Sequence, residues 1–310
     1  GARAAYIGGC HGTACTISDQ LFGVHAGGTM AHAWVQMFDT EYEAFKAYCE
    51  MYPNNATLLV DTYNTLKSGV PNAIRAFNDV LKPMGITKCG IRLDSGDMAY
   101  LTQKARKMLD DAGWTECQIS VSNSLDEYIV RDLLINDARI DSFGIGEKLI
   151  TSATNPVLGG VYKLVAVNKG GEYIPKIKIS ESFEKITIPD KKKVWRIYSN
   201  QTGKAQADYL TMWDEDPSQL NEITIFSPLE PWKKQTLVDI TIKPLLVQVF
   251  DKGQRVYDNP SLREVRDYAM CQLDTLWDEL KRLEYPHKYY VDLSDTLWTA
   301  QRKLLEEHHA

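Results

Sequence analysis

The sequence contains no apolar run of the roughly 18–20 residues that a membrane span requires, and no charged and apolar leader of the secretory kind. It also lacks an excess of positive charge. Thirty-five Lys and Arg stand against 41 Asp and Glu, a net charge of −6, which argues against a dedicated nucleic-acid binder with its basic face. The triplet Lys191-Lys192-Lys193 reads as a solvated turn. The six cysteines, at positions 10, 15, 49, 89, 117 and 271, form no CxxC pair of the kind that holds zinc. Cys89 and Cys117 fall in apolar, strand-like runs and read as buried thiols, so a reducing, cytoplasmic setting is expected. No internal repeat and no low-complexity segment is visible.

What is present is an ordinary globular composition, 44% hydrophobic and 25% charged, over 310 residues. That length suffices for two domains or one large barrel, with about three-quarters of the extended chain's surface buried on folding. The chain opens on the apolar run Gly1-Ala2-Arg3-Ala4-Ala5-Tyr6 with no cap, so a further N-terminal region is expected ahead of it.

Residues 56–165 alternate strand-like and helix-like stretches. Ala56–Asp61 is a strand-like run ending in a carboxylate, a helix over 69–82 ends at Pro83, and Cys89–Asp94 is the next strand. Asp97 caps a helix whose apolar face carries Met98, Leu101, Ala105, Met108 and Ala112, closed by Gly113. Gln118–Val121 is a third strand. Ser124 and Glu127 then form a capping-box pattern, and Asp141–Gly146 follows. A strand–loop–helix rhythm of this kind predicts parallel βα units, with polar residues gathered where strands end, the edge that hosts active sites in α/β folds. Residues 161–255 switch to period-two alternation, as in Val161–Val167 and Lys176–Ile179, and predict antiparallel β structure. From Ser261, with Glu264 as capping-box partner, Leu262, Val265, Ala269, Leu273, Leu276, Leu280 and Leu283 predict one amphipathic helix. The expected division is 1–160 as a catalytic βα-barrel region, 161–255 as a β-rich part of a second domain, and 256–310 as a C-terminal helical region.

Four polar sets lie at or near the predicted strand ends. In Gly27-Gly28-Thr29-Met30-Ala31-His32 a glycine turn lets backbone amides approach an anion, and an imidazole beside it could accept a phosphoryl group; the alternative is a histidine that caps a helix or packs beside Trp34. Arg92 and Asp94 share one side of their strand, with Leu93 opposite. Together they either form a structural ion pair or grip a phosphate, a ribose or a metal, while Asp97 reads as an N-cap. Asp61 is a loop cap or a site residue. Ser122-Asn123 and Gly144-Ile145-Gly146 follow the third and fourth strands, and a Gly-x-Gly turn there can cradle a phosphate. Phosphate amides, an arginine, two carboxylates and a histidine describe chemistry on a phosphorylated small molecule.

The stretches GGTMAHAWV (27–35), LLVDTYNT (58–65), GIRLDSGD (90–97), SVSNSLDE (120–127), DSFGIGEKLITS (141–152) and LGGVYKLV (158–165), in this order, resemble nicotinate phosphoribosyltransferase. So do residues 243–283 and 286–294, in the manner of the bacterial form. The resemblance implies an irregular βα barrel of the type II phosphoribosyltransferase kind joined to a second domain built partly from an N-terminal segment, and a homodimer with shared active sites. It implies that His32 is the histidine that ATP phosphorylates and that Arg92 contacts the pyridine ring and the phosphoribosyl group. Asp61 and Asp94 would lie near ribose, pyrophosphate or magnesium, with Asp94 a magnesium ligand. Ser122, Asn123, Gly144 and Gly146 would bind the ribose phosphate, and Gly28 and Thr29 would belong to the loop bearing the histidine. Glu147 departs from forms with a small threonine after Gly-x-Gly, and Ala33 from forms with a serine after the histidine.

The implied reaction joins nicotinate to phosphoribosyl pyrophosphate, giving nicotinate mononucleotide and pyrophosphate for NAD salvage, with ATP as co-substrate and Mg2+ as cofactor. No nucleic acid or membrane partner is expected. Alternatives are a related enzyme using nicotinamide or quinolinate, or a non-catalytic fragment that needs its N-terminal part or a partner chain.

Overall fold

A computed structural model describes residues 1–182 and 185–309; Ala310, the last residue of the expected helical region, lies outside them. The chain divides into two compact units, Gly1–Leu158 and Gly159–Ala310.

The first unit begins with helices α1 (Ala2–Ile7), α2 (Thr16–Phe22), α3 (His32–Gln36) and α4 (Glu41–Met51). The fourth carries a complete capping box: the Thr40 hydroxyl accepts from the Glu43 amide, and the Glu43 carboxylate accepts from the Thr40 amide. Four parallel strands follow, β1 (Thr57–Leu59), β2 (Gly90–Leu93), β3 (Gln118–Ser122) and β4 (Ser142–Gly144), in spatial order β1-β2-β3-β4. Between them run α5 (Val70–Ala76), within a helical stretch from Thr65 to Met84, then α6 (Met98–Asp111) and α7 (Glu127–Ile135), with α8 (Glu147–Ile150) after the last strand. This is the α/β class with the parallel βα order expected from the sequence.

Strands β1 to β3 are packed into an apolar core. Leu58, Leu59, Ile91, Leu93, Ile119 and Val121 are fully or almost fully buried, and Val35, Phe45, Ala73, Phe77, Leu81, Ala105 and Leu109 pack with them in one core. Cys49, Cys89 and Cys117 are buried in the same core, as expected of Cys89 and Cys117; burial pushes the Cys49 thiol up to about 12. One backbone crossing requires glycine. A Cβ on Gly69 would lie 1.7 Å from the Val60 carbonyl oxygen, so the helix after β1 sits directly on that strand's exit.

Two local expectations are corrected and a third holds. The helical stretch does not end at Pro83 but runs to Met84, because the proline occupies an early position of a short 3-10 turn where no amide is required. Gly85, left-handed at φ +71°, closes it. The helix after β3 is capped by Asp126, which accepts from the Ile129 amide at 2.8 Å, and not by a Ser124–Glu127 box. Ser124 is left-handed at φ 48°, whereas an N-cap needs extended backbone. Asp97 does cap α6 through the Tyr100 amide at 3.1 Å, and Gly113 follows with φ 84°.

The second unit is mostly antiparallel. β5 (Ala166–Lys169) and β6 (Glu172–Pro175) form a hairpin around Gly170-Gly171. β7 (Lys192–Ser199) pairs with β8 (Ala205–Met212), β9 (Glu222–Phe226) with β10 (Lys234–Val238), and β11 (Ile240–Pro244) adds to the free edge of β7. β12 (Phe250–Asp251) and β13 (Gln254–Arg255) make a minimal hairpin. After α9 (Leu262–Thr275), β14 (Tyr290–Leu293) joins β8 in parallel, and α10 (Asp295–His309) ends the chain. Period-two burial in β7 and β8 puts Trp195, Ile197, Ala207 and Tyr209 into a core with Ile223, Ile225, Leu237, Ile240 and Ile242. The opposite face carries the Arg196–Asp208 pair at 2.7 Å, with the Tyr289 hydroxyl donating to Asp208 at 3.0 Å.

Here too the boundaries differ from expectation. Residues 161–165 and 176–179 form no strand; β5 starts only at Ala166, and the Lys176 amide reaches back to Val165. The helix from Ser261 has the expected capping box with Glu264 but stops at Thr275, so Leu280 and Leu283 are not on it. Leu276 turns to extended backbone at ψ 150°, so the leucine spacing outlasts the helix.

Candidate active site

The site stands at the C-terminal edge of the parallel sheet, where β1, β2 and β3 release their chains. Val60 hydrogen bonds across to the Arg92 carbonyl, which places Asp61 beside the exit of β2. The alternation of β2 buries Ile91 and Leu93 and leaves Arg92 and Asp94 together on the other side.

Arg92 uses all three of its guanidinium nitrogens. Nε donates to the Ser122 hydroxyl at 2.8 Å, one terminal nitrogen to the Thr29 hydroxyl at 3.0 Å, and the other to Asp94 Oδ1 at 2.8 Å. The Ser122 hydroxyl also donates to the same Asp94 oxygen. Burial would raise the Asp94 pKa, but the bonds from Ser122 and Arg92 and the guanidinium charge outweigh it and hold the carboxyl below its usual range.

The other Asp94 oxygen faces His32, whose Nε2 lies 3.9 Å away. The same nitrogen is 4.0 Å from Asp61 Oδ1. Asp61 is almost fully enclosed, its side chain 2% exposed, and its Oδ2 accepts from the Asp94 amide at 2.9 Å and the Ser95 hydroxyl at 2.6 Å. Its Oδ1 is buried and makes no hydrogen bond, in contrast to the great majority of buried polar atoms. His32 is the first residue of α3, its side chain 40% exposed, with Nδ1 held by the Thr62 hydroxyl at 3.0 Å. Its place at the helix start makes no side-chain cap.

Thus His32, Asp61, Arg92, Asp94, Ser122 and Thr29 form one connected cluster. Gly28 is the chain neighbour of Thr29, and Asn123 of Ser122. Gly144 pairs with Ser122 across β3 and β4, and a Cβ there would meet the serine Cβ at 3.2 Å. Gly146 lies two residues on as N-cap of α8, bonded through its carbonyl to the Ile150 amide. Glu147 is exposed at the start of that helix, and Asp97 faces its own helix as a cap. Asn123 adopts φ 107°, a conformation that L-residues rarely take. Two residues of the cluster were not singled out from the sequence: Thr62, which follows Asp61, and Ser95, which follows Asp94. A hydroxyl one step beyond a carboxylate at a strand end was the available signal.

No group of three or more His, Cys, Asp or Glu able to hold a metal occurs among the described residues. Two carboxylate oxygens, the buried and unbonded Asp61 Oδ1 and Asp94 Oδ2, nonetheless face the imidazole, and hard oxygens of this kind are the ligand type that Mg2+ takes. No helix among the described residues is long and apolar enough to cross a membrane.

The domain family described as nicotinate phosphoribosyltransferase C-terminal domain matches residues 191–301. A nicotinate phosphoribosyltransferase of Bacillus subtilis is 42% identical over 99% of this chain. A human protein of the same name is 30% identical over 94% of it. The chain spans about 62% of the length of the bacterial relative and 63% of the human one. In three dimensions it is similar to the crystal structure of human nicotinic acid phosphoribosyltransferase, with a TM-score of 0.80 at 28% identity, over 98% of this chain and 66% of that one.

Proposed function

We propose that the chain is a member of the nicotinate phosphoribosyltransferase family, to whose members it is similar, and that its sheet-edge cluster transfers a phosphoribosyl group to nicotinate. The ring nitrogen of nicotinate bonds to C1 of phosphoribosyl pyrophosphate while the C1–oxygen bond breaks, and the electron pair leaves with pyrophosphate. The protein need supply no attacking side chain, since holding the ring nitrogen in line with C1 provides much of the acceleration. Charge on the sugar becomes oxocarbenium-like, which favours the nearby Asp61 and Asp94 carboxylates. Arg92 faces the acceptor ring and the phosphoribosyl group, and Ser122, Asn123, Gly144 and Gly146 receive the ribose phosphate. Asp94 would hold magnesium, which would supply neutralisation of the charge on the leaving pyrophosphate.

ATP coupling runs through His32. An imidazole nitrogen attacks the γ-phosphorus, the bond to the bridging oxygen breaks, and ADP leaves with the pair. Water later hydrolyses the phosphohistidine and restores the imidazole. The phosphoryl group adds about −2 charge beside the cluster in the interim.

The observation that carries this reading is a single carboxylate, Asp94, with the guanidinium of Arg92 on one oxygen and the imidazole of His32 on the other. The test is His32→Ala assayed with γ-labelled ATP. Labelling and ATP stimulation should vanish while a slow basal transfer persists; labelling that survives the substitution refutes the assignment. Parallel assays with nicotinate, nicotinamide and quinolinate separate the substrate classes, and only quinolinate would release carbon dioxide. Because the chain spans 62% of its bacterial relative, a second reading is that this cluster turns over only with further polypeptide. Comparing this chain with the longer protein decides between them.

A further inference from the structure

Among the described residues the imidazole of His32 makes one hydrogen bond, from Nδ1 to the Thr62 hydroxyl at 3.0 Å. The carboxylates on its other side stand at 3.9 and 4.0 Å, beyond hydrogen-bond reach. The ring is therefore tied from the Thr62 side alone. Thr62 is itself firmly placed. Asp61, one residue before it, is locked by the Asp94 amide and the Ser95 hydroxyl, and Asn64, two residues after it, accepts from the Lys67 amide at 2.8 Å. A few residues on, the Gly69 backbone lies against the Val60 carbonyl, so the whole turn is clamped between strand and helix.

We propose that Thr62 is a positioning residue for the ATP-dependent step, holding the His32 ring in the one orientation that turns Nε2 toward the Asp61 and Asp94 carboxylates. This rests on the functional reading above. A hydroxyl has one donor and two acceptor sites, so it stays bonded to Nδ1 whichever nitrogen carries the proton. The β-branch of threonine narrows its own χ1, which a serine would not do. The nitrogen left unbonded is the one whose surroundings the opposite bond fixes, as with histidines oriented by an outer partner elsewhere.

The test compares Thr62→Val and Thr62→Ser in the protein with nitrogen-15-labelled histidine. Valine keeps the shape and removes the hydroxyl; serine keeps the hydroxyl. In the valine variant the His32 ring-nitrogen resonances should move, and the single-turnover rate of phosphohistidine formation at saturating ATP should fall about tenfold, the scale of one lost hydrogen bond. Half-saturating ATP should stay within about twofold, since Thr62 acts on the ring and not on the nucleotide. Serine should restore both the resonances and most of the rate. A valine variant with unshifted resonances or an unchanged rate overturns the proposal, as does a serine variant as impaired as valine. If the unsubstituted protein forms no phosphohistidine, the functional reading has failed, and the ring resonances alone then decide the role of Thr62.

Discussion

Replacing Gly69 with alanine tests the packing that carries the site. A glycine inside a helical stretch ordinarily gains about 0.5–1 kcal/mol on becoming alanine. Here the added Cβ would meet the Val60 carbonyl oxygen at 1.7 Å, its carbon at 2.6 Å and its Cα at 3.0 Å, all backbone atoms. Relief requires the helix and the end of β1 to part by about 1 Å, which opens the buried contacts of Val60, Val70 and Ala73. Overpacking commonly costs about 1–3 kcal/mol, and a clash between two backbone segments belongs at or above the top of that range. The expected net loss is about 3 kcal/mol. The assay is denaturant unfolding, with amide exchange at Leu58–Val60 as the local readout. Gly85→Ala is the control: its φ of +71° disfavours a side chain by about 1–2 kcal/mol, but no atom lies within 4 Å. Because Val60 leads directly into Asp61 and Thr62, Gly69→Ala should also depress ATP-dependent labelling, and Gly85→Ala should not. A Gly69→Ala protein as stable as the parent would refute the close-packed crossing.

Other consequences follow from the same geometry. Asp97→Ala should lose about 1 kcal/mol by removing the cap on α6 and leave phosphoribosyl transfer unaltered; loss of turnover at intact stability would make Asp97 a site residue. The Asp94 carboxyl is held below its usual range, so it contributes stability above pH 3.8 that is lost as pH falls through its lower folded value. Asp94→Asn should accordingly remove part of the acid dependence of unfolding, and an identical acid profile in both proteins would contradict the ion-paired state. Asp292 is the reverse case: burial raises it to about 6, so its ionised form opposes folding at neutral pH. Asp292→Asn should stabilise the protein at pH 8 and lose that advantage as pH falls from about 6 towards 3.8; a denaturation midpoint difference that does not change between pH 8 and pH 4 would contradict it.

The sequence displays the site better than it displays the elements that surround it. The strand-end carboxylates and the Arg92–Asp94 alternation were legible because period two and a βα rhythm are local properties. Convergence of His32 with them is not local: a helix start, a turn after β1 and a turn after β2 meet through side chains 29 to 62 positions apart in the chain. The resemblance of the quoted stretches brought them together before the geometry did. Thr62 and Ser95 went unnoticed because a hydroxyl beside a carboxylate is common in turns, and only its partner gives it meaning. Helix ends were the least legible feature. Leucine spacing continued to Leu283 although the backbone turned extended at Leu276, and the Ser124–Glu127 pattern competed with Asp126, whose extended backbone suits an N-cap where the left-handed Ser124 does not.

Asn123 and Ser124 both sit in left-handed backbone at the exit of β3, where glycine would be easier to accommodate. A stabilisation campaign that places glycine there should raise the melting temperature while removing an amide and a hydroxyl from the turn that follows Ser122. At that bend the chain retains polar side chains at the expense of backbone comfort, so the most accessible gain in thermal tolerance lies directly beside the Ser122 hydroxyl that joins Arg92 to Asp94.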